Sequence, residues 1–473
     1  MEKLKCHQYQ HIILISLDSL RNDCITAISS DFPDKFIGHG KLKTEMLNYV
    51  ISRGTYFINC ISAAPYTSAS HAAYFTGCWP KRNGVYEFFN RQLGLPTIFE
   101  LAKKAGMYTI FQTDFPIILG ESVGFTRGVD KYFVESEGDA FLELLKNQHR
   151  STVSFFHFGG IHYPYGFHKL KFAETDFPKK VFELENKFNI HYSKNSKKHP
   201  DMLDESYRSK KDKNFLLRYK AIIDALWTQG RYNDLHKLYI EGIDYFLKHR
   251  FNPFIKKIID FVDKNDSLLV LFADHGESWS LDSRGHSNSI DDVVLRVPVI
   301  LYGKGVAKNT VVSKLIRTID IFPTICQYSK IARTNFDGEP INLMNPNNSI
   351  GSREAFAQVW RVGDRNKVYQ HQQHIIKDKK MIKPLSTKLE KEAAYHDGFA
   401  INREYDVDGR LIKEILFKNT GKCLVTIDKK YGDITHLINL LKKYNRIRCY
   451  KNHKINNLKR SIVDDLKVLG YHI

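Results

Sequence analysis

The chain is short of the features that would mark a secreted, fibrous or membrane-embedded protein. Its seven cysteines, Cys6, Cys24, Cys60, Cys78, Cys326, Cys423 and Cys449, form no Cys-x-x-Cys pair and no regular framework. A disulfide-stapled scaffold is therefore excluded, and reduced thiols in a cytoplasmic compartment are expected. Only 14 prolines occur in 473 residues, 42% of which are hydrophobic and 26% charged, so no long disordered region is implied. Long apolar runs are missing as well. The first ten residues are polar, and the run Ile12 to Leu17 is too short for a signal peptide or a membrane span. An unexported protein with no transmembrane segment is expected. No internal repeat is present.

Acidic residues are in deficit: 52 Asp+Glu face 71 Lys+Arg, a net charge of +19. That balance favours anionic partners, which include phosphorylated small molecules, acidic glycans, nucleic acid and anionic membranes, and charge alone does not choose among them. Much of the excess lies in Lys194 to Lys213 and Lys442 to Arg460, stretches that read as solvated faces. The length allows one large and one smaller domain.

Buried strands are the clearest elements. His11 to Asp18 is a continuous apolar run closed by an acid, which suits a strand covered on both faces with Asp18 at its carboxyl end. Gly54 to Asn59, Met107 to Gln112, Ser151 to Phe158, Ser267 to Ala273 and Arg296 to Tyr302 read as further strands. Between them, Thr97 to Glu100 has the form of a capping box for a helix that Gly106 stops. Residues 177–262 are helical and charged, with Tyr219 to Trp227 and Leu235 to Phe246 the best helices and Lys194 to Lys213 a mobile basic loop. Pro323 is placed to start a helix.

The alternation predicts an α/β fold whose mainly parallel sheet is sandwiched by helices over residues 1–348. After about Asn348 the texture changes. Phe399 to Tyr405 and Leu411 to Phe417 read as a hairpin around Asp406 to Gly409, and Tyr431 to Tyr444 as a terminal helix, so a smaller C-terminal α+β domain is expected over 349–473.

Candidate chemistry gathers at the strand ends. Asp18, Asp274 and His275 are oxygen and imidazole donors placed at one edge of a parallel sheet, where open α/β sheets put their ligands. They are candidate ligands for a divalent metal. Thr67 stands at a helix start, after Pro65 and ahead of Gly77. It reads as a cap, a phosphate cradle or a nucleophile. As a further metal ligand its hydroxyl would need no dedicated base. His71, His162 and His286 are candidates for binding the anion or protonating a leaving group. The glycines of Gly159-Gly160 permit a tight turn that carries His162.

These pieces, in this order, resemble the sulfatase-like branch of the alkaline phosphatase superfamily. The resemblance covers roughly Ile12 to Gly338 and rests on Leu17-Asp18-Ser19-Leu20-Arg21-Asn22-Asp23, Ala64-Pro65-Tyr66-Thr67-Ser68-Ala69-Ser70-His71, Thr76-Gly77, Pro80, Asn83-Gly84-Val85, His162-Tyr163-Pro164-Tyr165, Ala273-Asp274-His275-Gly276-Glu277, Arg296-Val297-Pro298 and Asp320 to Thr324. It implies metal ligation by Asp18, Thr67, Asp274 and His275, attack by Thr67 on phosphorus or sulfur, and anion contacts from His71, His162 and His286.

The chain departs from that pattern at informative places. Sulfatases place Cys or Ser, in a Cys-x-Pro-Ser-Arg context, where Thr67 stands, and oxidise it to formylglycine, which a threonine cannot become. Cys60 lacks the following Pro and Arg and reads as a structural thiol. The family's double Asp is Asp18-Ser19, and Gln112-Thr113-Asp114-Phe115 replaces a segment that supplies a substrate-binding Lys and His. The Asp of the second zinc site in nucleotide pyrophosphatases is not evident upstream of His162, where Phe158-Gly159-Gly160-Ile161 stands, so one metal is expected, Mn or Zn ahead of Ca or Mg. A Thr nucleophile is similar to phosphonate monoester hydrolases and to the phosphoglycerol or phosphoethanolamine transferases.

The reading is a metal-dependent hydrolase or transferase of phosphoesters, acting through a covalent Thr67 intermediate. Its substrate would be an anionic phosphorylated or sulfated compound, with a cell-envelope glycan or lipid headgroup as candidates. Nucleic acid is disfavoured and a homo-oligomer is allowed for. The alternatives are a sulfate ester hydrolase and a non-catalytic protein that binds an anionic glycan.

Overall fold

The computed structural model describes residues 7–25, 42, 44–87, 91–166, 177–190, 210–283, 285–362, 386–396, 398–428 and 434–448. Strands β1 (His11–Leu17), β2 (Thr55–Ile61), β3 (Tyr108–Thr113), β4 (Lys131–Val134), β5 (Thr152–Phe158), β6 (Ser267–Phe272), β7 (Arg296–Gly303), β8 (Thr310–Val312) and β9 (Ile316–Arg317) form one sheet. Its order is β4-β3-β5-β1-β6-β7-β2-β8, with β9 also paired to β2. Every residue of β1, β2, β5, β6 and β7 is buried, so these strands are covered on both faces, as their unbroken apolar runs require.

The central strands are parallel, β1 pairing with β5 on one side and β6 on the other. Their register sets Ser16 beside both His157 and Phe272, so the carboxyl ends of the three strands are flush. β7 is the exception, running antiparallel to both β6 and β2. The sheet is therefore mixed and mostly parallel. Strand pairing cannot be read from a run such as Arg296 to Tyr302, because a strand buried on both faces looks the same in either direction.

The helical cover consists of Phe177–Phe188, Lys210–Thr228, Tyr232–Phe246 and Asn252–Lys264, with a π-helical turn at Leu247–Phe251. Lys210 to Lys213, expected as loop, begin the second of these helices, and the rest of that basic segment lies outside the described residues. So does Tyr431, ahead of the terminal helix Ile434–Asn445. Among the described residues no helix is long and apolar enough to cross a membrane.

A second, antiparallel sheet follows: β10 (Ala355–Val362), β11 (Thr387–His396), β12 (Phe399–Tyr405), β13 (Leu411–Asn419) and β14 (Leu424–Thr426), in that order. The β12–β13 hairpin is the expected one, while β10, β11 and β14 add strands that short, polar-interrupted runs did not signal. This part is tied to the first sheet by side chains. The Tyr66 hydroxyl accepts from the Trp360 backbone N–H at 2.9 Å, and Lys81 Nζ, buried against Tyr444, donates to the Asn445 carbonyl at 2.8 Å.

Candidate active site and metal centre

The helix Thr67–Thr76 carries the central residue, and its boundaries follow from its sequence. Tyr66 is the N-cap in an extended conformation and contributes no side-chain cap, while Gly77 closes the helix at φ 63°. Thr67 is therefore the first helical residue, and its hydroxyl is not spent on capping. Instead Oγ1 lies 3.3 Å from Asp18 Oδ2 and 3.2 Å from His275 Nε2. The other end of the contact is fixed too: Ser62 and Ser70 hydroxyls each donate to the Asp274 carbonyl at 2.7 Å, which locks the end of β6 to this helix.

Asp18, Asp274 and His275 are fully buried, and each offers a ligand atom within 4.8 Å of the others. His275 Nδ1–H donates to the Gly276 carbonyl at 3.0 Å, which leaves Nε2 to face Asp274 Oδ2 at 3.3 Å and Asp18 Oδ1 at 3.8 Å. Four donors about one small ion with bonds of roughly 2.0–2.2 Å sit about 3.3 Å from one another, and the separations here are of that size. Asp274 Oδ2 accepts no hydrogen bond although it is buried, and an orphaned carboxylate oxygen of this kind calls for a cation. Burial, with Asp18 beside it, pushes the Asp274 carboxyl up to about 6. Burial would also raise Asp18, but His162, His157 and His275 outweigh it and hold that carboxyl well below its usual range. For His275, burial is outweighed by Asp274 and Asp18, so its pKa is raised. Among the described residues no lysine or arginine makes a hydrogen bond or ion pair with Asp18, Asp274 or His275. The donor set fits a divalent metal held by Asp18, Asp274, His275 and Thr67.

The backbone is bent to serve the cluster. Ser19, next to Asp18, adopts φ 63°, where a non-glycine residue is strained. The twist turns its N–H toward Asp274 Oδ1 at 3.2 Å, while its hydroxyl donates to Asp18 Oδ1 at 2.8 Å.

His162 and His286 lie on one side of the centre, their rings 5.0 Å apart, and His286 stacks on His275 at 4.0 Å. His162 Nδ1 donates to the Tyr163 carbonyl at 2.8 Å. His286 Nδ1 lies 3.2 Å from both oxygens of Glu277. In both rings Nε2 has no protein hydrogen bond among the described residues. Burial lowers the His162 pKa to about 4 and holds that of His286 well below its ordinary value. The glycines ahead of His162 serve close packing rather than a positive-φ turn. A Cβ on Gly159 would stand 2.4 Å from the Phe115 ring, and one on Gly160 2.4 Å from the Phe246 ring.

His71 is the correction. Its Nδ1–H donates to the Thr67 carbonyl at 2.7 Å and its Nε2 accepts from the Ser16 hydroxyl at 2.9 Å. The ring is fully buried among Phe75, Phe155, Phe272 and His157, and burial lowers its pKa to about 3. With both nitrogens engaged behind the centre, it cannot meet an anion or protonate a leaving group. It supports the first turn that holds Thr67.

Sequence reasoning missed two buried polar residues. Glu277, whose carboxyl burial raises to about 7, orients His286. His157 contacts Asp18 from within β5. Glu277 was visible beside Asp274-His275, but its partner, His286, lies nine residues on.

Residues 10–331 match the sulfatase family. No curated protein sequence matches the chain. Among solved structures, it is similar to a phosphonate monoester hydrolase from Silicibacter pomeroyi at 14% identity and TM-score 0.56, covering 95% of this chain and 99% of that one. A putative sulfatase from Bacteroides thetaiotaomicron is similar at 16% identity and TM-score 0.55, covering 96% and 97%. A protein solved with its substrate D-glucosamine-2-N,6-O-disulfate is similar at 13% identity and TM-score 0.61, covering 93% and 98%. At these identities the likeness is one of fold.

Proposed function

We propose that this chain, which belongs to the sulfatase family, is a metal-dependent phosphoester hydrolase or phosphotransferase with Thr67 as its nucleophile. The observation that carries this reading is the Thr67 hydroxyl, not spent on capping and within 3.3 Å of Asp18 and His275, beside a donor set that fits a divalent cation. A bound divalent ion, Mn or Zn before Ca or Mg, would supply a lowered hydroxyl pKa and charge neutralisation at the oxyanion. The residues do the rest. Asp18 Oδ2 accepts the hydroxyl's hydrogen bond, Oγ1 forms a bond to phosphorus as the ester P–O bond breaks, and the proton that Thr67 gives up passes through solvent to the departing oxygen. In His162 and His286 the Nδ1–H is engaged and burial keeps the ring neutral, so each Nε2 presents a lone pair; a bound anion would favour its protonation, and only the protonated Nε2 contacts the anion or its leaving group. Water, or a sugar hydroxyl in the transferase case, then takes the phosphoryl group from Thr67.

Phosphorus is favoured over sulfur because Thr67 cannot become formylglycine, and one structural neighbour is a phosphonate monoester hydrolase. A sulfate ester is the second reading, favoured by the neighbour whose substrate is a disulfated glucosamine. Residues 1–348 would be the catalytic domain and 349–473 the smaller one. The described cysteines, Cys24, Cys60, Cys78, Cys326 and Cys423, are unpaired, which fits a reducing, cytoplasmic setting. Assay of the Mn- or Zn-loaded protein on an aryl phosphodiester, an aryl phosphonate and an aryl sulfate tests the proposal. Faster turnover of the phosphorus esters, abolished by chelation, is expected, and a clear preference for the sulfate would reverse the ranking.

A further inference from the structure

His157 lies one residue from the carboxyl end of β5, between Phe156 and Phe158, and nothing in the proposed chemistry uses it. Its ring is fully buried, with Nε2 3.0 Å from Asp18 Oδ2 and Nδ1 3.2 Å from Thr113 Oγ1. The neighbours decide where its proton sits. Thr113 Oγ1 already accepts from the Phe115 N–H at 2.9 Å, so its own hydrogen is available to Nδ1. Nδ1 is then the acceptor, and Nε2–H donates to Asp18.

The carboxyl end of β3 and the residues after it hold both the backbone and the ring of His157. Gln112 Oε1 accepts from the His157 backbone N–H at 3.1 Å, and Gln112 Nε2 donates to Asp114 Oδ1 at 3.1 Å. Asp114 in turn accepts from the Gly159 N–H at 2.8 Å and from both terminal nitrogens of Arg250, at 2.7 and 2.9 Å. Phe115 and His71 flank the ring at 5.2 and 5.4 Å. The imidazole is thus fixed in tautomer and in plane, with one N–H aimed at one oxygen.

We infer that His157 is a positioning residue that sets the orientation of the Asp18 carboxylate, and through it the affinity of the centre for a divalent cation. The inference rests on the reading of Asp18 as a metal ligand. Oδ2 receives hydrogen bonds from His157 and Thr67, and Oδ1 from Ser19. Without the His157 donor the carboxylate loses the shorter of the two hydrogen bonds to Oδ2, one of the three that stop it turning away from Asp274 and His275. Outer contacts of this kind commonly change metal affinity by roughly 10- to 100-fold.

The test is a titration of metal-free protein with Mn2+ or Zn2+ for wild type, His157→Phe and His157→Gln, by calorimetry or chelator competition. His157→Phe should bind roughly 10- to 100-fold more weakly, and His157→Gln, which keeps an N–H at the ring's far end, should recover part of the loss. Equal affinity in wild type and His157→Phe would overturn the inference while leaving the metal reading intact. A wild type that binds neither ion would overturn both. Should His157→Phe fail to fold, Thr113→Val, which keeps the imidazole and removes its partner, should show a smaller loss in the same direction, and wild-type affinity there would be contrary. Nitrogen NMR of the metal-free protein should report the Nε2–H tautomer for His157, and the Nδ1–H form would contradict the geometry.

Discussion

Asp320 and Asp274 are both fully buried, yet the protein surrounds them in opposite ways. Asp320 receives Arg317 and Arg353 guanidinium groups at 2.8 and 2.7 Å and backbone N–H groups from Arg317 and Glu339. Burial alone would raise its carboxyl, but the two arginines hold it below the usual range. Asp274 lies against a second carboxylate, has an oxygen with no hydrogen bond, and has its carboxyl raised to about 6. One carboxylate is satisfied by the chain itself and serves the fold. The other keeps an oxygen with no hydrogen bond beside a second carboxylate and a histidine, an arrangement that would suit a cation.

The comparison can be broken by experiment. The largest effect is expected at the hydroxyl of the incomplete cluster. Thr67→Ala should lower turnover by at least about 10³-fold while leaving circular dichroism and metal content near wild type, and residual activity close to wild type would remove Thr67 as nucleophile. Next comes stability. Asp320→Asn should destabilise by about 3–5 kcal/mol, because it strands two buried arginines. Asp274→Asn in metal-free protein should cost little or stabilise, since it removes an uncompensated buried charge. Equal losses in denaturant melts of the two variants would erase the contrast.

Metal addition sharpens it further. At a hundred times its Kd, a divalent ion should stabilise wild type by about 2.7 kcal/mol, and Asp274→Asn should show no such gain. The smallest effect is in pH. Because the folded pKa of Asp320 is depressed, its stabilisation is present above the unfolded value of about 3.9 and is lost as pH falls through the folded value. Acid melts below about pH 4 should therefore be less steep in Asp320→Asn than in wild type, and identical slopes would show that Asp320 carries no linked proton.

What could be read from sequence and what could not divide along physical lines. Strands β1, β5 and β6 announce themselves because burial on both faces demands unbroken apolar runs, and the acids at their ends mark the edge where Asp18 and Asp274 meet. The Thr97–Glu100 capping box is a local device and is found as expected. The antiparallel direction of β7 and the strands β8 and β9 depend on partners far along the chain, which periodicity does not encode. The same limit applied to histidines. His71 sits four residues from Thr67 and reads from sequence as a candidate for binding the anion or protonating a leaving group, but the fold turns it inward onto Ser16. His157 sits inside an apolar run with nothing nearby to connect it to Asp18, which is 139 residues away.

The central claim, that Thr67 is the group that attacks, is tested most directly by trapping the covalent intermediate. The metal-loaded protein would be quenched in acid during turnover of an aryl phosphodiester or phosphonate, and its peptides analysed by mass spectrometry. The account predicts a phosphoryl or phosphonyl group on the Thr67 peptide that is absent in Thr67→Ala. Steady turnover with that peptide unmodified, or with the group on another residue, would contradict it.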